Sequence, residues 1–463
     1  MTPDYTSYLS PFSWRYSSPE MRQIWSEAHK RLLWRQLWVA LAETQAEYGL
    51  VTPEQVADLR LHMDEVNIPR ALEIEAEIHH DLMAEVRTFA EQAPLGGGII
   101  HLGATSMDIE DNADVLRMRQ SLDLVLDGLR GLLLLFARQI DTYADTPLMA
   151  FTHIQPAEPS TLGYRLACYA QDLLADWQAL SSVRAELKGK GFKGAVGTGA
   201  SYAELIGVEN LAEFEQKLSN RLNLPFYPVA TQVYPRKQDY TVISALAGLG
   251  GSLYKFAFDL RLLQSPPVGE LSEPFGRKQV GSSAMPFKRN PVNSEKIVSL
   301  ARSLAGMPRL AWDNAAHMLL ERTLDDSANR RTLLPEAFLT AEELLRTASR
   351  IVDGLVVNAA ALSRNLASYG PFAASERVLM ALVKSGADRQ AMHEKLRQHA
   401  LQAWAAVQAG QTNPLADQLA ADLDLRQYLP ETEIRLLMDA SHYVGDAPQR
   451  ARALANLIRQ AVG

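Results

Sequence analysis

Gly281-Ser282-Ser283-Ala284-Met285-Pro286-Phe287-Lys288-Arg289-Asn290-Pro291 lies between two long segments of helical patterning, residues 236–263 and 291–320. Its small residues give a pliable backbone, two hydroxyls stand side by side, and Lys288 and Arg289 place two cations within their reach. A loop of this kind can close over an anion. The competing reading is a surface loop in which Gly, Ser and Pro punctuate two helices and the cations are solvated.

Three further segments bear on the choice. In Thr152-His153-Ile154-Gln155-Pro156 a histidine sits in a proline-bounded turn, and histidine is the side chain whose ordinary pKa lies closest to neutrality. His101-Leu102-Gly103-Ala104-Thr105-Ser106-Met107-Asp108 is a hydroxyl-rich turn entering the longest helical segment. Free N–H groups there suit a carboxylate or phosphate, while capping by Ser106 or Asp108 is the simpler alternative. In residues 321–331 a helix starting near Asp326 puts Ser327 and Arg331 on one face, with Arg322 on the incoming segment. That set describes a phosphate pocket, and Asp325 and Asp326 allow an Asp–Arg surface network instead.

Apolar residues recur at three- and four-residue steps through most of the chain, which predicts an all-α fold. Helices are expected over 18–48, from Thr52-Pro53-Glu54, over 70–92, 111–143, 159–187, 236–263 and 291–320, and from 326 to about 365 with a kink at Pro335. Short extended pieces are expected at 148–154 and 226–233. Helices of thirty residues reach about 45 Å and should lie side by side in an elongated bundle, whose spare apolar stripes suggest an oligomer. The expected domains are 1–110, a central bundle over 111–368 and a smaller helical domain over 369–463.

At 463 residues the chain should hold more than one domain. A net charge of −8 argues against general nucleic-acid binding, so the cations needed for an anionic substrate must be concentrated at a site. No apolar run reads as a membrane span, the longest being interrupted by Arg130, and no secretory signal opens the chain; a cytoplasmic protein is expected. The lone Cys168 is expected to pack as a small apolar side chain. The glycines of 194–199 lack the strand–helix setting of a dinucleotide loop, and neither His79-His80-Asp81 nor His393 with His399 has metal-ligand spacing.

In chain order these segments resemble the blocks of the fumarase/aspartase superfamily. Within it, residues 15–21, 80–84, 101–106, 152–157, 281–291 and 321–331 resemble the adenylosuccinate lyases, particularly the animal form. The resemblance implies an elongated long-helix bundle with smaller helical N- and C-terminal domains, and elimination of fumarate from a phosphorylated succinyl nucleotide. It implies Ser282 as general base, His153 as general acid and Glu295 as the carboxylate orienting that histidine. Lys288 and Asn290 would hold the succinyl group, and His80 would join both the catalytic and binding sets. Arg15, Tyr16, His79, Asp81, Thr105, Ser106, Gln232, Arg322, Ser327 and Arg331 would contact substrate. Lys296 stands where the animal enzymes carry arginine. No metal or cofactor is implied, and a homotetramer with shared sites is. Argininosuccinate or cycloisomerase chemistry, or an inactive crystallin-like protein, are the alternatives.

Overall fold

The computed structural model describes residues 6–463. Among them are seventeen α-helices and two sheets of two antiparallel strands each, so the chain is all-α. It divides into two compact units: Met1–Leu129, Asp176–Gly251 and Ser299–Arg346 form the first, and Arg130–Ala175, Ser252–Val298 and Thr347–Gly463 form the second. Both are built from segments of the same long helices, Ser106–Thr142, Leu162–Glu186, Lys237–Gln264, Val292–Ala316 and Ser327–Asp353.

In the first unit the core includes Val115, Leu122, Val125, Leu246, Leu249, Leu304 and Phe338, all essentially without solvent exposure. These positions follow the three- and four-residue steps of their helices, as a buried stripe requires. In the second, Phe136 and Tyr169 pack edge-on against Phe256 at centroid distances of 5.4 and 5.5 Å. A separate cluster around Val378, Leu382, Leu415, Leu419 and Ile434 holds the C-terminal helices together.

Several expected boundaries shift. The helix expected over 18–48 breaks at Trp25 and Ser26, because Ser26 caps a new helix, Glu27–Ala46, by accepting the His29 N–H. The stretch 70–92 is two helices, Ile68–Ile78 and Asp81–Gln92, divided where His79 takes φ 53° and His80 caps the second. The helix from Ser327 ends at Asp353, and the next, Ala359–Lys384, runs through Pro371, where the sequence suggests a change of character. Residues 147–152 are a strand as expected, but its partner is Gln155–Thr161; of 226–233 only Phe226 makes a bridge, to Gly189. Cys168 is exposed, because it falls on the outer side of its helix between buried Ala167 and Tyr169. The helix Lys237–Gln264 is, by length and composition, apolar enough to cross a bilayer, contrary to expectation. Its Val242, Ile243, Leu246, Leu253 and Phe256 are buried in the protein instead.

Candidate active site

The first unit contains a cavity of about 130 Å³ whose wall includes Trp25, Lys30, Asp81, Glu110, Arg322, Ser327 and Arg331. The phosphate-type residues expected from 321–331 therefore share one cavity. Each cation is also tied to an acid. The Arg322 guanidinium donates to Asp326 at 2.7 Å, and Arg331 donates to Asp81 at 2.9 Å. Burial opposes ionisation of Asp81, yet the charge of Arg331 beside it keeps its pKa below the usual carboxylate value. Arg322 Nε is buried with no hydrogen-bond partner among the described residues, a donor available to a bound anion.

A buried ion network adjoins this cavity through Asp111, Arg322 and Arg330 in its wall; the Asp–Arg network expected as a surface alternative is instead buried around Asp326. Arg236 donates to Asp326 at 2.6 Å and to Asp111 at 2.9 Å, while Arg330 donates to Asp239 at 2.8 Å and to the Tyr234 hydroxyl at 2.7 Å. Asp326, at the entry to the Ser327–Asp353 helix, is thereby clamped by Arg236 and Arg322. Its spacing to Arg322, Ser327 and Arg331 was legible, but its other partner, Arg236, is 90 residues away in sequence.

The turn before Ser106–Thr142 is held by Asp108. Its carboxylate accepts the Thr105 N–H at 3.1 Å, the Tyr202 hydroxyl at 3.2 Å and the N–H groups of Lys193 and Gly194 at 3.1–3.2 Å, and pairs with the ammonium of Lys190. Asp108 is not the N-cap itself but the third residue of the helix, reaching back to the Thr105 N–H, and the backbone at Lys193–Gly194 forms a cradle for this buried carboxylate. Gly194, at φ 72°, takes the left-handed conformation next to Lys193, and both of their N–H groups point at the carboxylate. Thr105 and Ser106 lie on the outer side of this anchor and are partly exposed.

The remaining first-unit candidates are spread around it. His80 Nδ1 accepts the Met83 N–H at 3.3 Å, which leaves a proton on Nε2 in the neutral ring. His79 is exposed at the end of its helix. Arg15 and Tyr16 follow a short 3₁₀ turn, with Arg15 exposed, and neither lines the cavity. Gln232 donates its backbone N–H to the Glu321 carbonyl at 3.2 Å.

In the second unit, His153 and Ile154 are the two turn residues of the hairpin joining Pro147–Thr152 to Gln155–Thr161. Both have positive φ, 53° and 60°, in a position where Asn-Gly is the easy choice. A β-branched residue there is strained, and such strain is concentrated at functional sites. The turn projects His153 into solvent, with no hydrogen-bond partner for its ring among the described residues.

The loop after Leu271–Ser272 has a rigid stem. Gln264 clamps both ends, accepting the Glu273 N–H at 3.0 Å and donating to the Arg289 carbonyl at 2.9 Å. The buried Glu273 carboxylate accepts from the N–H groups of Asn293 and Ser294 at 3.1 and 2.9 Å, capping the Val292–Ala316 helix. Between these anchors, Ser282 Oγ accepts the Met285 N–H at 3.1 Å and the Ala284 N–H at 3.4 Å. Asn290 Nδ2 donates to the Gly281 carbonyl at 3.0 Å, and a Cβ on Gly281 would sit 2.1 Å from the Lys288 carbonyl, so only glycine fits. Lys288 is exposed, Lys296 partly so on the following helix, and no hydrogen bond or ion pair joins Glu295 to His153 within the described chain. Neither Gln264 nor Glu273 was singled out by the sequence, since both act through loop backbone.

A helical scaffold bearing this Ser282 loop and a strained histidine hairpin has the form of a lyase. The lyase family profile matches residues 14–306, more than half of the chain. The solved 3-carboxy-cis,cis-muconate lactonizing enzyme from Pseudomonas putida is similar at a TM-score of 0.86 and 27% identity, covering 98% of this chain and 99% of that one. The fumarate lyase from a Mesorhizobium species shares the fold, with a TM-score of 0.84 over 97% of this chain and 99% of its own, at 24% identity.

A second profile, adenylosuccinate lyase C-terminus, matches residues 371–454. Adenylosuccinate lyase of Saccharomyces cerevisiae is 38% identical over 97% of this chain and 94% of its own length. That of Schistosoma mansoni is 38% identical over 98% and 95%. The chain belongs to the adenylosuccinate lyase family.

Proposed function

We propose that the protein is a carbon–nitrogen lyase that releases fumarate from adenylosuccinate, giving AMP, and from SAICAR, giving AICAR, in purine nucleotide biosynthesis. The observation that carries the chemistry is the environment of Ser282. Two backbone N–H groups already point at its oxygen, so the alkoxide form that a proton-accepting serine requires is met by oriented donors, whereas Ser283 is exposed and has no such donor among the described residues. In the reaction Ser282, having given up its hydroxyl proton and standing as the alkoxide, takes the proton from the carbon beside a succinyl carboxylate. The electron pair left behind becomes the fumarate double bond, the C–N bond breaks, and His153 protonates the departing nitrogen. Lys288 supplies positive charge, and the Thr105–Ser106 turn hydrogen-bond donors, for the carboxylates as the transient dianion forms. Arg322, Ser327 and Arg331 hold the phosphate. A spectrophotometric assay tests the reading: adenylosuccinate yields fumarate and argininosuccinate does not. Release from argininosuccinate alone would overturn it.

His153→Ala lowers kcat about 10²–10⁴-fold, the range of a general acid, with little change in product affinity. Arg331→Ala mainly raises KM, about 10–100-fold, because phosphate is bound alike in ground and transition states. Steady-state kinetics separate the two outcomes, and a matched fall in kcat for Arg331→Ala contradicts the binding role.

We further infer a cytoplasmic homotetramer whose sites draw on more than one subunit. The motive is that His153 and Glu295 make no contact with each other in one chain, although the resemblance pairs them. Mixing inactive His153→Ala and Ser282→Ala proteins after mild dissociation should regenerate activity, up to about a quarter of wild type if each site takes the two residues from different chains chosen at random. A fully active monomer by light scattering excludes shared sites.

A further inference from the structure

Among the acids lining the 130 Å³ cavity of the first unit, one has no partner. Glu27 is paired with Lys30 at 2.8 Å, Asp81 with Arg331 at 2.9 Å and Asp111 with Arg236 at 2.9 Å. Asp114 lies 3.3 Å from both Arg117 and Arg330. Glu110, one turn into the Ser106–Thr142 helix, has no hydrogen bond or ion pair among the described residues, and shares the wall with Arg322, Ser327 and Arg331. The cations around it are therefore already committed to other carboxylates.

We propose that Glu110 is a proton-linked binding residue for the substrate's phosphate: it is protonated as the phosphorylated ligand enters and donates its O–H to a phosphate oxygen. This rests on the phosphate-pocket reading above and adds to it the residue and the proton that the binding step requires. A carboxylate at that position would repel the phosphate, whereas a carboxylic acid is a donor matched to an acceptor-only anion.

The surroundings favour the neutral form. Burial and then the charges of Asp81, Asp114 and Asp111 push the Glu110 carboxyl up to about 8, with Lys30 on the Glu27–Ala46 helix acting in the opposite sense. A dianionic phosphate arriving nearby raises the value further, so binding takes up a proton wherever the free group is ionised. The sign follows: affinity is fully present below the free-state value and declines as pH rises through it. The phosphate's own second ionisation lies near 6, below this window.

The test is calorimetric titration of the intact protein with AMP at pH 8.5, in buffers of different ionisation enthalpy. Repeated across about pH 7–9.5, the titration shows the wild type taking up a fraction of a proton per site that grows as pH rises through the range in which the free group ionises. Glu110→Gln keeps an N–H donor, so it retains affinity within about threefold at neutral pH, takes up almost no proton, and binds AMP independently of pH between about 7.5 and 9. Absence of proton uptake in the wild type, or its persistence in Glu110→Gln, overturns the assignment. Adenosine and the Arg331→Ala variant form the other arm. Equal affinity for AMP and adenosine, unaffected by Arg331→Ala, removes the phosphate pocket and this proposal with it. Strong preference for AMP without proton uptake removes the Glu110 role alone.

Discussion

Ser282→Ala lowers kcat for fumarate release at least about 1,000-fold, equivalent to about 4 kcal/mol of transition-state stabilisation, and leaves product affinity and thermal stability close to wild type. Ser282 is partly exposed, and the hydrogen bonds its hydroxyl makes among the described residues are the two from loop N–H groups, so its removal forfeits those contacts inside a surface loop. Ser283→Ala, which touches no donor, changes kcat by less than about tenfold. Parallel kinetics on the two variants, with fluorescence or calorimetric AMP binding, decide the matter. A reversed order of effects would move the base to Ser283.

Asp108→Ala destabilises the protein by about 3–5 kcal/mol, the cost of stranding a buried charge. Its carboxylate and Lys190 are both fully buried, and the Lys193 and Gly194 N–H groups lose their acceptor with it. Activity should fall too, since the same side chain fixes the Thr105 backbone at the entry to the Ser106–Thr142 helix. Urea unfolding of Asp108→Ala against the double variant Asp108→Ala/Lys190→Met checks the cause. Removing the unpaired ammonium should recover part of the loss, and additive losses would mean that the pair is not coupled.

These two residues were not equally legible. Ser282 lies in a run whose composition announces it, two hydroxyls and two cations among small residues. Asp108 was readable only as a helix cap, three residues after Thr105; its larger work is done by Lys190, Lys193, Gly194 and Tyr202, some 80–95 residues further on. The glycines at 194–199 were set aside as a poor dinucleotide loop, and the use of the first of them, Gly194, as a donor to a buried carboxylate appears only when Asp108 is placed beside it. Likewise His79 and His80 read as helix interior, and it is the left-handed turn at His79 that makes His80 a cap and brings Asp81 to Arg331.

By itself the sequence determined what is written in local periodicity and local chemistry: an all-α chain, the long helical segments, the turn at His153, the loop from Gly281 to Pro291 and the cluster of Arg322, Ser327 and Arg331. Each depends on residues within a few turns of one another, where side-chain type and spacing carry the signal. The tertiary structure alone decided the partners: Arg236 with Asp111 and Asp326, Gln264 across the loop stem, and Glu110 left unpaired in a wall of paired acids. Ion pairs and desolvation act through space at a few ångströms, and nothing in the linear order of a chain specifies which distant charges will share that distance.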